Sequence, residues 1–152
     1  DVELDIIRLQ SEATELQTEL LRLVDKDAED FEPLSKAYSI PKDDPNRASI
    51  MESALKTACE VPLEIMRVCA KSIDVIAEFA EKGSSLALSD AGVGVIFCKS
   101  ALQGAILNIY INTKSMSDKS YAETLESEAE RILSEYAQKA DKIYNAVLQK
   151  LK

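Results

Sequence analysis

Residues 91–111 read AGVGVIFCKSALQGAILNIYI, and Lys99 is their one charged residue. A stretch this long, without strand-like alternation and without proline, reads as a helix. It is interrupted by Lys99, Ser100, Gln103 and Asn108, and three glycines lower its hydrophobicity, so a membrane span is disfavoured. A helix that is apolar nearly all round in a folded domain is a central helix, or one whose outer side another subunit covers. One stripe of it is small: Ala91, Gly94, Cys98, Ala101 and Ala105, ending in the amides Asn108 and Asn112. Bulky Val95, Ile96, Leu102, Ile106 and Ile109 run opposite. Small residues at every turn let another helix pack closely, or leave a groove for a flat ligand. The two amides need partners if buried.

Working outward, three more long helices are predicted. In the first, over residues 2–38, Ile6, Leu9, Ala13, Leu16, Leu20, Leu23, Asp27 and Asp30 or Phe31 recur with a helical period. Pro33 predicts a kink or break near residues 29–33. Asp44-Pro45 reads as an N-cap followed by proline at the first helical position, opening a second helix that ends at Lys82. Pro62 lies in its middle and should bend the axis. Gly83 is expected to close it in the left-handed conformation. The apolar helix itself is placed at 89–114. Asp118 caps a fourth, amphipathic through Leu125, Ala129, Ile132, Tyr136, Ala140, Ile143, Val147 and Leu151. Long helices joined by short loops predict an all-α, antiparallel bundle.

The 152 residues suit one domain. Lys and Arg total 18 against 27 Asp and Glu, a net charge of −9 that disfavours nucleic acid as a partner. Residues 1–50 hold 13 of the acids and 6 of the bases, most simply a solvated acidic face. There is no histidine. That excludes histidine-based triads, histidine-ligated zinc and the usual general base near neutral pH. Cys59, Cys69 and Cys98 form no CxxC pair and sit in Ala- or Val-rich stretches, which suits buried small hydrophobes and a reducing cytoplasm. The chain opens inside a helical pattern on an acidic stretch, which suggests a piece of a longer parent and no signal peptide.

Several strings together resemble a known family. Residues 83–94, GSSLALSDAGVG, followed by 101–112, ALQGAILNIYIN, look like the signature helix of the formimidoyltetrahydrofolate cyclodeaminase / methenyltetrahydrofolate cyclohydrolase family. Residues 23–32, LVDKDAEDFE, with 37–41, AYSIP, resemble an earlier motif of that family, and 61–65, VPLEI, its kinked middle helix. The resemblance runs in order through the whole chain. It implies one cyclodeaminase/cyclohydrolase-like helical domain over 1–152, without the glycine-rich turn and alanine-rich first helix with which members usually begin. Where members often carry Gly-Asn, this chain has Gly83-Ser84.

The resemblance also implies a chemistry. The substrate would be a reduced folate carrying a one-carbon unit, with no permanently bound cofactor and no metal. Cyclodeamination closes a 5-formimidoyl group onto N10 and releases ammonia; cyclohydrolysis opens the 5,10-methenyl ring with water. Both pass through a tetrahedral carbon between two nitrogens and need a proton-moving group beside a cation. Without histidine, a carboxylate fits, and Asp27 and Asp90 match the family's motifs. Asp27 lies in phase with the apolar face of its helix; it could equally bond a neighbouring helix end. Ser89, Asn108 and Asn112 are the candidates for the pterin edge, and Lys36, Arg47, Lys99 and Lys114 for the glutamate tail. A homo-oligomer, a dimer or larger, is expected to cover the apolar helix. The competing reading is a non-catalytic helical oligomerisation module.

Overall fold

The computed structural model describes residues 2–152. Among these the chain forms α1 (Val2–Tyr38), α2 (Arg47–Lys82), α3 (Leu88–Thr113) and α4 (Lys119–Leu151), with a 3₁₀ turn at Ser85–Ala87 between α2 and α3. The short connections between them make sequential neighbours antiparallel.

The centre of the bundle is α2. Helices α1, α3 and α4 all pack on it; α4 also packs on α3, while α1, among the described residues, packs on α2 alone. Leu55, Met66 and Ile73 of α2 are fully buried in one core with Leu34 of α1, Leu102 and Ile109 of α3 and Ala129 of α4. Each such large side chain stabilises the fold by roughly 1.5–3 kcal/mol. This corrects the reading of the apolar third helix as the central one. Ala54, Ala58, Cys59 and Ala70 leave α2 slim enough for neighbours on three sides. Helix α3 buries Val95, Leu102, Ile106 and Ile109 but exposes Phe97 (71%), Leu107 (65%) and Ile111 (66%) on its outer side. Its small stripe resolves as packing over Gly94, Cys98, Ala101 and Ala105, which meet the core that α2 organises.

Pro33 and Pro62 lie inside continuous helices, so the break expected near Pro33 does not occur. Pro62 has no N–H to give the carbonyl of Ala58, one turn earlier. Asn112 of α3 supplies a replacement: its Nδ2 donates to Ala58 O at 3.5 Å and to Asn108 O at 3.0 Å. One amide thus closes a gap that the proline opens and fastens α3 to α2.

The helix ends depart from expectation in two places. Helix α2 starts at Arg47, with Asn46 as N-cap. Asp44 does not cap it; its Oδ1 accepts the N–H of Asn46 at 2.8 Å, the local turn bond to which aspartate is suited. Gly83 is extended (φ −74°, ψ 173°), not left-handed. Its N–H donates to Phe79 O, and a Cβ there would lie 2.5 Å from that oxygen, so close approach rather than positive φ is what requires glycine. Asp118 does cap α4, accepting from Tyr121 N at 3.1 Å. Glu52 of α2 accepts the N–H groups of Ser117 and Asp118 at 2.6 and 3.1 Å, which together hold its carboxyl below the usual range and anchor the α3–α4 turn.

A double-mutant cycle checks the Pro62 repair. Asn112→Ala should cost about 1 kcal/mol in urea unfolding, and clearly less in a Pro62→Ala background, where an alanine N–H can reach Ala58 O. Equal costs in both backgrounds would show that Asn112 does not serve that carbonyl.

Candidate active site

A groove of about 960 Å³ runs along α2 between α1 and the first turn of α3. This lies within the ~300–1,000 Å³ typical of small-molecule sites. Most of its lining is apolar: Leu16, Leu20 and Val24 towards one end, Val75, Ile76 and Phe79 along α2. The other end is polar, where Lys82, Ser84 and Asp90 meet. The sequence folds this way because α1 spends its inner face on α2 and has no second helix beside it.

Electrostatics at the polar end are set by Lys82. Its Nζ donates to Asp5 at 3.0 Å and to Glu78 at 3.2 Å, and these bonds raise its pKa. Asp5 is held low chiefly by Lys82, and Glu78 chiefly by Arg8, whose guanidinium lies 2.7 Å away. Asp90 stands in the first turn of α3, at the positive end of that helix. A carboxylate at the end of an apolar trough can move a proton for, or hold charge against, a flat cationic ring lying in it.

The predicted site residues separate. Asp90 lines the groove, with the exposed Ser89 beside it. Asp27 is half-buried on α1, one turn beyond Val24, the last α1 residue on the groove. The pairings Arg8–Glu78 and Gly94–Ile76 fix the helix registers. At 1.5 Å per residue they put Asp27 and Asp90 about 30 Å apart along α2. Asn108 and Asn112 lie at the far end of α3, Asn108 exposed and Asn112 buried on Ala58 O. Three of the tail candidates are already engaged: Lys36 with Glu32, Lys99 with Asp141, and Arg47 Nε with Ile40 O.

Sequence reasoning did not single out Lys82, although the i,i+4 pair Glu78–Lys82 beside Gly83 marked a charged helix end. Nor did it separate Asp30 from Asp27. Asp30 is the more buried, 8% exposed, with one oxygen on Lys26 and Oδ2 without a hydrogen-bond partner among the described residues. Their spacing could not separate them, because residues three apart share a helix face.

An α-helical bundle with a largely apolar groove of this volume has the form of a small-molecule site. Comparison with known proteins narrows this. The chain matches the formiminotransferase-cyclodeaminase family over residues 1–131 and belongs to it. It is 36% identical over 155 residues to the methenyltetrahydrofolate cyclohydrolase of Methylorubrum extorquens, covering 99% of this chain and 74% of that protein. It is 31% identical over 120 residues to the formimidoyltransferase-cyclodeaminase of Sus scrofa, covering 76% of this chain but 22% of that longer protein. The crystal structure of formiminotetrahydrofolate cyclodeaminase from Thermotoga maritima superposes with a TM-score of 0.70 at 28% identity, over 90% of this chain and 64% of that one.

Asp30 offers a local check. Removing a buried carboxylate oxygen that has no partner relieves a desolvation cost, and Lys26 can return to water. Asp30→Ala should therefore change stability by less than about 1 kcal/mol, or raise it. Leu23→Ala on the same face should cost ~2–5 kcal/mol. Urea unfolding of the two variants measures both, and a large loss for Asp30→Ala would mean that its second oxygen has a partner after all.

Proposed function

We propose that this chain is a one-carbon folate enzyme that hydrolyses 5,10-methenyltetrahydrofolate to 10-formyltetrahydrofolate. The observation that carries this is the 36% identity to a methenyltetrahydrofolate cyclohydrolase across 99% of the chain, together with a groove that ends at Asp90. The pterin lies along the apolar lining, and the cationic methenyl carbon faces the Asp90 carboxylate. Asp90 takes a proton from the attacking water and passes one to the departing ring nitrogen. Its negative charge favours the cation, and the low-dielectric walls strengthen that attraction. Ser89 stands beside it for the pterin edge. Cyclodeamination of 5-formimidoyltetrahydrofolate is the second reading. It is favoured by the superposition on the Thermotoga maritima cyclodeaminase, and it uses the same proton relay to expel ammonia.

The reading includes a homodimer in the cytoplasm. The support for the dimer is the outer side of α3, where Phe97, Leu107 and Ile111 are exposed, since contiguous exposed apolar side chains mark interaction surfaces. A dimer also bears on Asp27. One chain holds it too far from Asp90 for both to reach a single carbon, so Asp27 and the exposed Asn108 join Asp90 only from a second copy. Sedimentation at micromolar concentration should give a dimer, and a monomer would remove this part of the reading.

The activity test is an absorbance assay with 5,10-methenyl- and 5-formimidoyl-tetrahydrofolate side by side. Wild type should consume the methenyl compound, and Asp90→Asn should lose ~10²–10⁴ in rate with unchanged melting. If the site is shared between subunits, Asp27→Asn is as impaired, and an equal mixture of the two variants regains about a quarter of wild-type activity, since half the dimers are mixed and each then holds one intact site. No turnover of either compound by the wild type would overturn the enzymatic reading, and would leave the helical assembly module in its place.

A further inference from the structure

The outer side of α3 carries a pattern that this chain does not use. Val93, Phe97, Ser100, Gly104, Leu107 and Ile111 recur at alternating spacings of four and three, the period with which one helix meets another along a seam. Its apolar members are all more than half exposed, and Ser100 and Gly104 between them are exposed as well. A Cβ at Gly104 would meet nothing within 4 Å among the described residues. Glycine inside a helix is less stable than alanine, so packing within the chain gives no reason for it here. A close neighbour from outside does. The seam is also symmetric about the level of Leu102: Ser100 mirrors Gly104, Phe97 mirrors Leu107 and Val93 mirrors Ile111. One further step of three at each end reaches Asp90 and the C-cap Lys114, an acid mirroring a base. Both are exposed, and neither side chain enters a hydrogen bond or ion pair among the described residues. In a two-fold interface residue i meets j and j meets i. An antiparallel pair of these helices therefore sets large against large, small against small, and opposite charges at both ends. An unrelated protein or a lipid surface would cover the apolar side chains but would not call for this symmetry.

We propose that two copies of this chain pack α3 antiparallel against α3, with the two-fold axis between Ser100 and Gly104 and Lys114 of each copy beside Asp90 of the other. The inference rests on the homodimer proposed above and assigns its interface. From residue 90 to residue 114 the contact runs about 36 Å along the helix. Ser100 and Gly104 let the two backbones approach at the centre, and Phe97 and Leu107 close over them on either side. Asp90 also lines the groove, so each groove ends on a positive charge that the other copy supplies. The chain's own cation there, Lys82, is already engaged by Asp5 and Glu78.

The test is sedimentation of the intact chain together with disulfide cross-linking of Val93→Cys and Ile111→Cys, both at exposed positions. Mixed, left to exchange and mildly oxidised, the two variants should give a covalent dimer on a non-reducing gel. Each alone should give no more than wild type, because position 93 and its own copy lie about 27 Å apart along the seam. Gly104→Arg should stay helical by circular dichroism, since the space there is open, and should sediment as a monomer where wild type is a dimer. Lys114→Glu should raise the dimer Kd about 2- to 30-fold for the loss of two exposed ion pairs, and adding Asp90→Lys should restore it. With wild type dimeric, linking by either cysteine variant alone, no linking of the mixture, a Gly104→Arg dimer of wild-type strength, or a charge swap that restores nothing would overturn this interface and leave the homodimer standing. A monomeric wild type, free or bound to phosphatidylcholine vesicles, would remove the homodimer and this interface together.

Discussion

Three helices take their position from α2, and α2 can serve all three because its interior is built of alanine, cysteine and one proline as much as of large side chains. The proline is the critical departure. It deprives Ala58 O of a helical partner in the middle of the bundle, where an unpaired carbonyl is costly. The answer comes from another helix, Asn112 of α3. The same bond fastens α3 to α2 at that level. On the opposite side of α2 the constraint is weaker. Helix α1 has one neighbour, which is why its other face is left to line a groove.

Much of this was legible in the sequence. The apolar period of α1 and α4, the Asp118 cap and the all-α class follow from spacing alone. Other features were not, for physical reasons. An apolar helix looks the same whether its second face meets a helix of its own chain or something else, so the sequence of α3 could not say that α2 is the central one. Asp44-Pro45 has the residues of a helix start, but the Asx turn to Asn46 competes for the same carboxylate and delays the helix to Arg47. Gly83 suits a left-handed cap and a close approach equally well, and only the backbone path decides between them.

The candidate site divides along the same line. The motif carries Asp90, and Asp90 lines the groove. The stripe of small residues, which could have been a ligand groove, is largely spent on packing against α2. The amides at its end include one that repairs a backbone gap. Family membership supplies the substrate class that the geometry alone leaves open. The chain spans about three quarters of the cyclohydrolase and about a fifth of the pig protein it resembles.

The central claim is that this groove, with Asp90 at its polar end, is where a reduced folate binds. Hydrogen–deuterium exchange with and without 5,10-methenyltetrahydrofolate tests it most directly. The account predicts slowed exchange in residues 72–91, at the end of α2 and the start of α3, and along the groove face of α1 between residues 6 and 24. Protection confined to α4 or to residues 104–113 of α3, or no protection at a folate concentration that supports turnover, would contradict it.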